Sequence, residues 1–431
     1  MSPSQPRSPA YSVSSLDDDN LSTCPTTPGS DGDLAYFPPA HNDNNTYTLV
    51  IGGLGFIGSH TSLELLKAGK NVIIIDDLSN AFQNVLAQIT NAAALWCKAN
   101  NRPVPEIRFH QMDYRSKAMQ FLLESYSDIV PGSPTPDGGL TLARRSRITG
   151  VIHFAAFKSV SDSIANPIDY YRNNVCGLVD LVDLLGRHNI KKFVFSSSAT
   201  VYGTKADLGL PLQEEDVVHH PESYVDKDGN KVNAMPGVTG LLSPYARTKF
   251  FGEAILADIA YADPSWNIVC LRYFNPIGCD SSGLLGEDPR GVPTNLFPVI
   301  TQVLTGDRAQ LDIYGSDWDT RDGTAIRDFI HVSDLARGHI AAVDAEIKAP
   351  FRTFNLGTGN GTTVAEAVDA LEKASGRKIP SRLTGRREGD VGSCVAATSR
   401  AKNELGWSTT ESLLQSATDL WKFVSRVRQI V

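Results

Sequence analysis

From Tyr47 onward, short apolar runs alternate with longer segments whose apolar residues recur every three or four positions. "YTLVI" is brief and wholly apolar, as a strand buried on both faces requires. A glycine-rich loop follows, and then "SHTSLELLKAG" takes a helical period and stops at Gly69, a residue suited to a helix C-terminus. "NVIIIDD" reads as the next buried strand. The alternation returns in "ITGVIHFAAF", "NNVCGLVDLVDLLGRHN", "IKKFVFSSSATVYG" and "WNIVCLRYFN". Before the last of these, Ser243 is a good N-cap and Pro244 suits the first helical position, so a helix is expected to open there. Repeated strand and helix with buried strands predicts an α/β chain with a Rossmann-type doubly wound parallel sheet. Ligands of such sheets sit at the carboxyl ends of the strands, which places Ala156, Ser198 and Asn275 around one crevice.

The first turn carries its own chemistry. Gly52, Gly55 and Gly58 give G-x-x-G-x-x-G, and Gly53 adds G-x-G-x-x-G, between a strand and a helix. Residues without side chains let backbone N–H groups and the positive helix end approach a pyrophosphate. Asp76 ends the second strand, where a carboxylate accepts from the adenosine ribose hydroxyls and repels a 2′-phosphate. NAD is therefore expected rather than NADP.

Composition narrows the class further. The 431 residues are 41% hydrophobic and 20% charged, enough for two globular domains. Residues 1–46 are rich in Ser, Pro, Asp and Thr without period, which predicts a disordered tail rather than a targeting peptide. The net charge of -8 speaks against a nucleic-acid partner, and no apolar stretch is long enough to span a bilayer. Six scattered cysteines form no C-x-x-C, so no metal site is expected and a cytoplasmic location fits.

"SPYARTK" places Tyr245 and Lys249 one turn apart on a single helix face. A phenol near a bound dinucleotide becomes a base if a cation stabilises its phenolate; at about 4 Å and an effective dielectric of about 20, one ammonium supplies roughly 4 kcal/mol. Ser198 is placed to bond the same oxygen. With "VIGGLGFIGSH", "VIHFAAFKSV", "FVFSSSATVYG", "LRYFNPIG", "AIRDFIHVSDLA", "FNLGTG" and "RREGD", the segment from about 47 to 425 resembles the extended short-chain dehydrogenase/reductases. Within them it is similar to members that invert carbon 4 of a UDP-hexose.

The resemblance implies 47–275 as the NAD-binding domain and 276–431 as a smaller mixed α/β domain for the UDP-sugar, interleaved with the first. It implies catalysis by Tyr245, Lys249 and Ser198. NAD contacts are implied for Gly52, Gly55, Phe56, Ile57, Gly58, Asp76, Asp77, Asn80, Asp113, Tyr114, Phe154, Ala155, Ala156, Lys158, Asn173 and Phe274. The sugar nucleotide is implied to meet Thr200, Asn275, Asn295, Tyr314, Arg327, Arg387, Asp390 and Cys394. Arg327 and Arg387 would answer the pyrophosphate, and Tyr314 would stack on uracil. Family members are commonly dimeric, which implies a homodimer.

Some positions depart from the family pattern. Ile51 stands where a Thr is usual, and connectors near 88–106, 131–147 and 204–242 are longer than usual, the last expected to be a surface insertion. Cys394 occupies a position that varies between Tyr and small residues, and its small side chain implies room for N-acetylated sugars. Ser198, Ala199 and Thr200 offer no carboxylate for an elimination, which disfavours a dehydratase. A 4-epimerase of UDP-pentoses and a non-catalytic NAD-sensing regulator remain the alternatives.

Overall fold

The computed structural model describes residues 45–134, 140–225, 229–238, 240–288, 290–291, 293, 295–387 and 390–429. The tail expected over residues 1–46 lies, except for its last two residues, outside them. Seven strands form the central sheet: β1 (Tyr47–Ile51), β2 (Asn71–Asp76), β3 (Ile107–Gln111), β4 (Ile148–His153), β5 (Lys192–Ser198), β6 (Asn267–Tyr273) and β7 (Phe351–Leu356). Their spatial order is β7-β6-β5-β4-β1-β2-β3, and every pairing is parallel. The order reverses between β1 and β4, which opens a crevice above their carboxyl ends.

Period-two alternation explains why these runs are apolar throughout. Val50, Val72 and Ile74 point into one core, while Leu49, Ile51, Ile73 and Ile75 point into the other. Each such side chain stabilises the fold by roughly 1.5–3 kcal/mol when fully buried. The first core is closed by the helices Phe56–Lys67 and Val332–Asp344, the second by Gly177–Arg187 and Pro244–Ala262. The expected helix over "NNVCGLVDLVDLLGRHN" begins as a π turn, Arg172–Cys176, before it becomes α-helical. π turns of this kind often mark functional positions.

The chain after residue 276 returns to this sheet, because Val332–Asp344 covers it and β7 extends its edge. The rest of that segment packs the helices Leu296–Thr305, Val364–Ser375 and Leu413–Arg428 around a third core, beside pairs of very short strands. Of the long connectors, the first is mostly the helix Asn84–Ala99, and the second is an antiparallel hairpin of Ser127–Pro134 with Leu140–Ser146.

The third connector corrects an expectation. Its outer part is a hairpin, Glu222–Val225 with Lys231–Ala234, but its first half is anchored in the interior. His219 bonds Glu253 at 2.8 Å, and the Val217 carbonyl accepts from Arg272 at 2.8 Å. Arg272 and Glu253 are both fully buried and paired. An ion pair removed from water needs its remaining hydrogen-bonding positions filled, and the connector fills them.

Candidate active site

The glycine loop is shaped by close approach. Gly52 adopts φ +78°, and a Cβ there would lie 2.7 Å from the Ala155 nitrogen. A Cβ on Gly58 would collide with the Gly52 carbonyl oxygen. The helix that follows begins at Phe56 with Gly55 as its cap, and no side chain caps it. Gly55, Phe56, Ile57 and Gly58 line the crevice, and a helix N-terminus is where backbone N–H groups bind a phosphate. At the end of β2, Asp76 is buried and accepts from the Leu54 and Leu78 nitrogens, each at 3.0 Å. Burial raises its pKa.

A cavity of about 430 Å³ runs from this loop across the ends of the strands. Its wall contains every residue expected to contact NAD, from Gly52, Gly55, Phe56, Ile57 and Gly58 through Asp76, Asp77, Asn80, Asp113 and Tyr114. Phe154, Ala155, Ala156, Lys158, Asn173 and Phe274 complete the set, and Tyr245, Lys249, Ser198, Thr200, Asn275 and Asn295 line the same space. Several of these are held by neighbours. Tyr114 donates to the Asn173 carbonyl at 2.8 Å within the π turn, and Arg115 clasps Asp113 through both carboxylate oxygens. Asn174 bridges that turn to Thr248 on the helix Pro244–Ala262, at 3.1 Å. Asn295 caps the helix Leu296–Thr305 with its backbone, and its side chain makes no capping bond.

Ser243 and Pro244 open the helix as the sequence predicts, with the Ser243 hydroxyl accepting from the Ala246 nitrogen at 3.1 Å. Tyr245 keeps part of its surface on the cavity but is enclosed elsewhere. Burial pushes its phenol up to about 12, opposed by a hydrogen bond from Ser198. Ser198 in turn accepts from the Thr200 hydroxyl at 3.1 Å, so its own proton is available to Tyr245. Lys249 points its ammonium at the Ser196 carbonyl, 2.6 Å away, and lies 6.0 Å from the centre of the Tyr245 ring. Burial lowers its pKa to about 7. Burial thus opposes the expected lowering of the phenol by this lysine and an oxidised nicotinamide ring. It also removes part of the lysine's own charge.

Five expected substrate contacts fall outside this cavity and gather together. Arg387 stacks on the Tyr314 ring at 4.4 Å and pairs with Asp390 at 3.0 Å. Arg327 bonds the Val391 carbonyl at 2.9 Å and stands opposite Cys394 in a short parallel strand pair. Burial lowers the pKa of Arg327 and pushes the Cys394 thiol up to about 11, which leaves the thiol neutral. The two groups of residues meet at Phe274, because Cys394 and Val391 pack on the small cluster that contains Phe274, Ala199 and Tyr202.

Sequence reasoning missed Glu287, Tyr273 and Ser196, all in the cavity wall. Glu287 pairs with Lys158 at 3.7 Å, and it sits in a loop with no periodic signal to mark it. Tyr273 had a signal: a phenol at the carboxyl end of a buried strand. Among the described residues, no group of three or more His, Cys, Asp or Glu side chains is arranged to hold a metal, and no helix is long and apolar enough to cross a membrane.

The glycine turn at a parallel-sheet switch point and the Tyr–Lys pair facing it define a class. The NAD dependent epimerase/dehydratase family matches residues 48–131 and 139–357, and the chain belongs to that family. Its relatives narrow the likeness. It is 42% identical to a UDP-glucose 4-epimerase of Homo sapiens over 377 residues, 87% of this chain and 95% of that protein. It is 41% identical to a bifunctional UDP-glucose and UDP-xylose 4-epimerase of Pisum sativum, over 87% of this chain and 94% of that one. The crystal structure of UDP-glucose 4-epimerase from Bifidobacterium longum, in complex with NAD+ and UDP, superposes with a TM-score of 0.72 at 38% identity. That match covers 88% of this chain and 98% of the other.

Proposed function

We propose that the chain is an NAD-dependent UDP-glucose 4-epimerase that interconverts UDP-galactose and UDP-glucose through a 4-keto sugar. The observation that carries the reading is the single cavity that joins the glycine loop to Tyr245, Lys249 and Ser198. The cradle fits a dinucleotide, since Gly52 and Gly58 bring backbone together where a Cβ would collide and line the crevice at a helix N-terminus. When bound, NAD would supply the acceptor for the two electrons that leave carbon 4.

Tyr245 takes the proton of the 4-hydroxyl and later returns it. Ser198 donates to the phenolate and orients it, while Lys249 stabilises its charge from one turn along the helix. A phenol that burial pushes up to about 12 needs its phenolate stabilised to act near neutral pH, which is the part Ser198 and Lys249 play. For inversion the keto sugar must turn within the pocket, so the nucleotide is held and the hexose is left loose. Asn295, Tyr314, Arg327, Arg387 and Asp390 hold the UDP portion in this reading, and Cys394 leaves room for an N-acetyl group, so that UDP-N-acetylhexoses are also taken.

A homodimer suits the apolar side chains exposed beside the helix Pro244–Ala262. Ile168 is 58% exposed, Phe251 is 40% exposed, and Phe251 is in ring contact with Tyr171. Light scattering on the purified protein tests the assembly. A cytoplasmic location agrees with six scattered cysteines that form no C-x-x-C. The decisive assay supplies UDP-galactose and couples product to a UDP-glucose dehydrogenase, with UDP-xylose run alongside. Turnover of UDP-galactose is expected; folded, NAD-loaded protein without turnover would favour an NAD-sensing role.

A further inference from the structure

Lys249 is the head of a longer arrangement. Its ammonium donates to the Ser196 carbonyl at 2.6 Å and to the Ser196 hydroxyl oxygen at 3.2 Å. On the adjacent strand Leu271 stands opposite Ser196, so Tyr273 is the diagonal neighbour on the same face, and Ser196 lowers the pKa of its phenol as a hydrogen-bond donor does. The Tyr273 phenol meets Nε2 of His339, whose Nδ1 meets the Leu335 carbonyl at 2.8 Å.

The direction of every proton follows from the far end. A carbonyl only accepts, so Nδ1 of His339 carries a hydrogen. His339 is wholly buried and its pKa falls to about 3, so the ring is neutral and Nε2 presents a lone pair. Tyr273 must donate to that lone pair, which leaves its oxygen as an acceptor for Ser196. Ser196 then offers its own oxygen to Lys249. Four donors in a row thus point away from the ammonium. Reversing any link strands a buried polar atom, at a cost of about 1–3 kcal/mol.

The surroundings leave the lysine in need of such support. Burial is the largest influence on it and favours the neutral amine. The titratable groups facing it are Tyr245 and Glu253 on its own helix, Cys270 and Tyr273 on β6 and His153 on β4. Glu253 raises its pKa, but that carboxylate is already shared with Arg272 and His219. Cys270 and His153 are buried and neutral, the thiol raised well above its usual value and the imidazole lowered to about 3. The Phe195 ring lies 5.0 Å from Nζ.

We propose that Tyr273 and His339 are positioning residues for this reaction, holding Lys249 in its charged, donating state through a one-way hydrogen-bond chain that passes by way of Ser196. The proposal rests on the reading of the protein as an epimerase that uses the Tyr245–Lys249 pair. It adds two residues that touch neither reacting atom, one of them on a helix from the far end of the chain.

Two readouts test it. In NMR titrations of protein carrying labelled lysine, with Lys249→Met identifying the resonance, Tyr273→Phe is expected to lower the Lys249 midpoint by about one pH unit, roughly tenfold in its protonation equilibrium. In kinetics the acid limb of kcat/KM is expected to move to higher pH in the same variant, with the rate recovered in alkali, because a less charged lysine stabilises the phenolate less. His339→Leu should act in the same direction. His339→Gln, whose amide oxygen still accepts from Tyr273, should restore both readouts. An unchanged Lys249 midpoint in Tyr273→Phe, or a rate lowered by one factor at every pH, would overturn the proposal. The NMR midpoint does not require turnover, so a lowered midpoint in a protein inactive on UDP-galactose supports the chain and sinks only the epimerase reading.

Discussion

Around Tyr245 and Lys249, the polar atoms are bound to strands and helices of the seven-stranded sheet, and the groups that matter are buried. Around Arg387 they are bound chiefly to one another. Arg387 stacks on Tyr314 and pairs with Asp390, while Arg386, next along the chain, stacks on Trp318 at 3.8 Å. The first region is pre-arranged by a core whose rearrangement would expose two packed faces. The second rests on short strands and loops, where exchanging one partner for a phosphate disturbs little. In the proposed reading, the proton chemistry lies where geometry cannot drift, and substrate choice lies where side chains can trade partners.

Substitutions in the two regions should therefore fail differently. The largest effect is expected for Tyr245→Phe, which removes the proton acceptor and keeps the packing. Its kcat should fall by about 10³-fold with the bound dinucleotide retained, as steady-state rates and cofactor absorbance would show. If kcat survives, the rigid end is not the site of chemistry.

Next comes Lys249→Met, which should abolish most activity yet stabilise the fold. The folded pKa of Lys249 is about 7, below the 10.5 of a free lysine. Below pH 7 both states carry the proton and the folded state bears the full burial penalty. Between about 7 and 10.5 only the unfolded state stays protonated, so stability rises with pH across that window. Removing the amine should raise stability by about 2 kcal/mol at pH 7, after loss of the Ser196 bonds, with the gain gone near the unfolded value. Denaturant titrations at several pH values would check the slope as well as the sign.

At the adaptable end, Arg387→Ala should raise KM for UDP-galactose about tenfold and leave kcat within a factor of about two, the signature of lost uniform binding. The smallest effect on the parent reaction is expected for Cys394→Tyr. It should spare UDP-galactose and lower kcat/KM for UDP-N-acetylgalactosamine by roughly tenfold, since a phenol fills space a thiol leaves open. Equal effects on the two sugars would show that this residue does not set the size of the pocket.

Much of the rigid region was legible in the chain itself. A strand buried on both faces must be apolar throughout, a turn approached by backbone must be glycine, and an i, i+4 pair on a helix must share a face. These constraints act within a few residues, so "YTLVIGGLGFIGSH" and "SPYARTK" disclose the parallel sheet, the crevice and the two side chains that look into it. What needed the fold was every relation between distant segments. His219 completes the bonding of a carboxylate on the helix Pro244–Ala262, β7 arrives from after residue 350 to finish the sheet, and Glu287 finds Lys158 in the cavity wall. The electrostatics needed it too, because the penalty for burying a charge depends on the whole enclosure around it. Spacing set Lys249 beside Tyr245; only the packed interior decided that burial shifts both of them, and that the lysine turns first to Ser196.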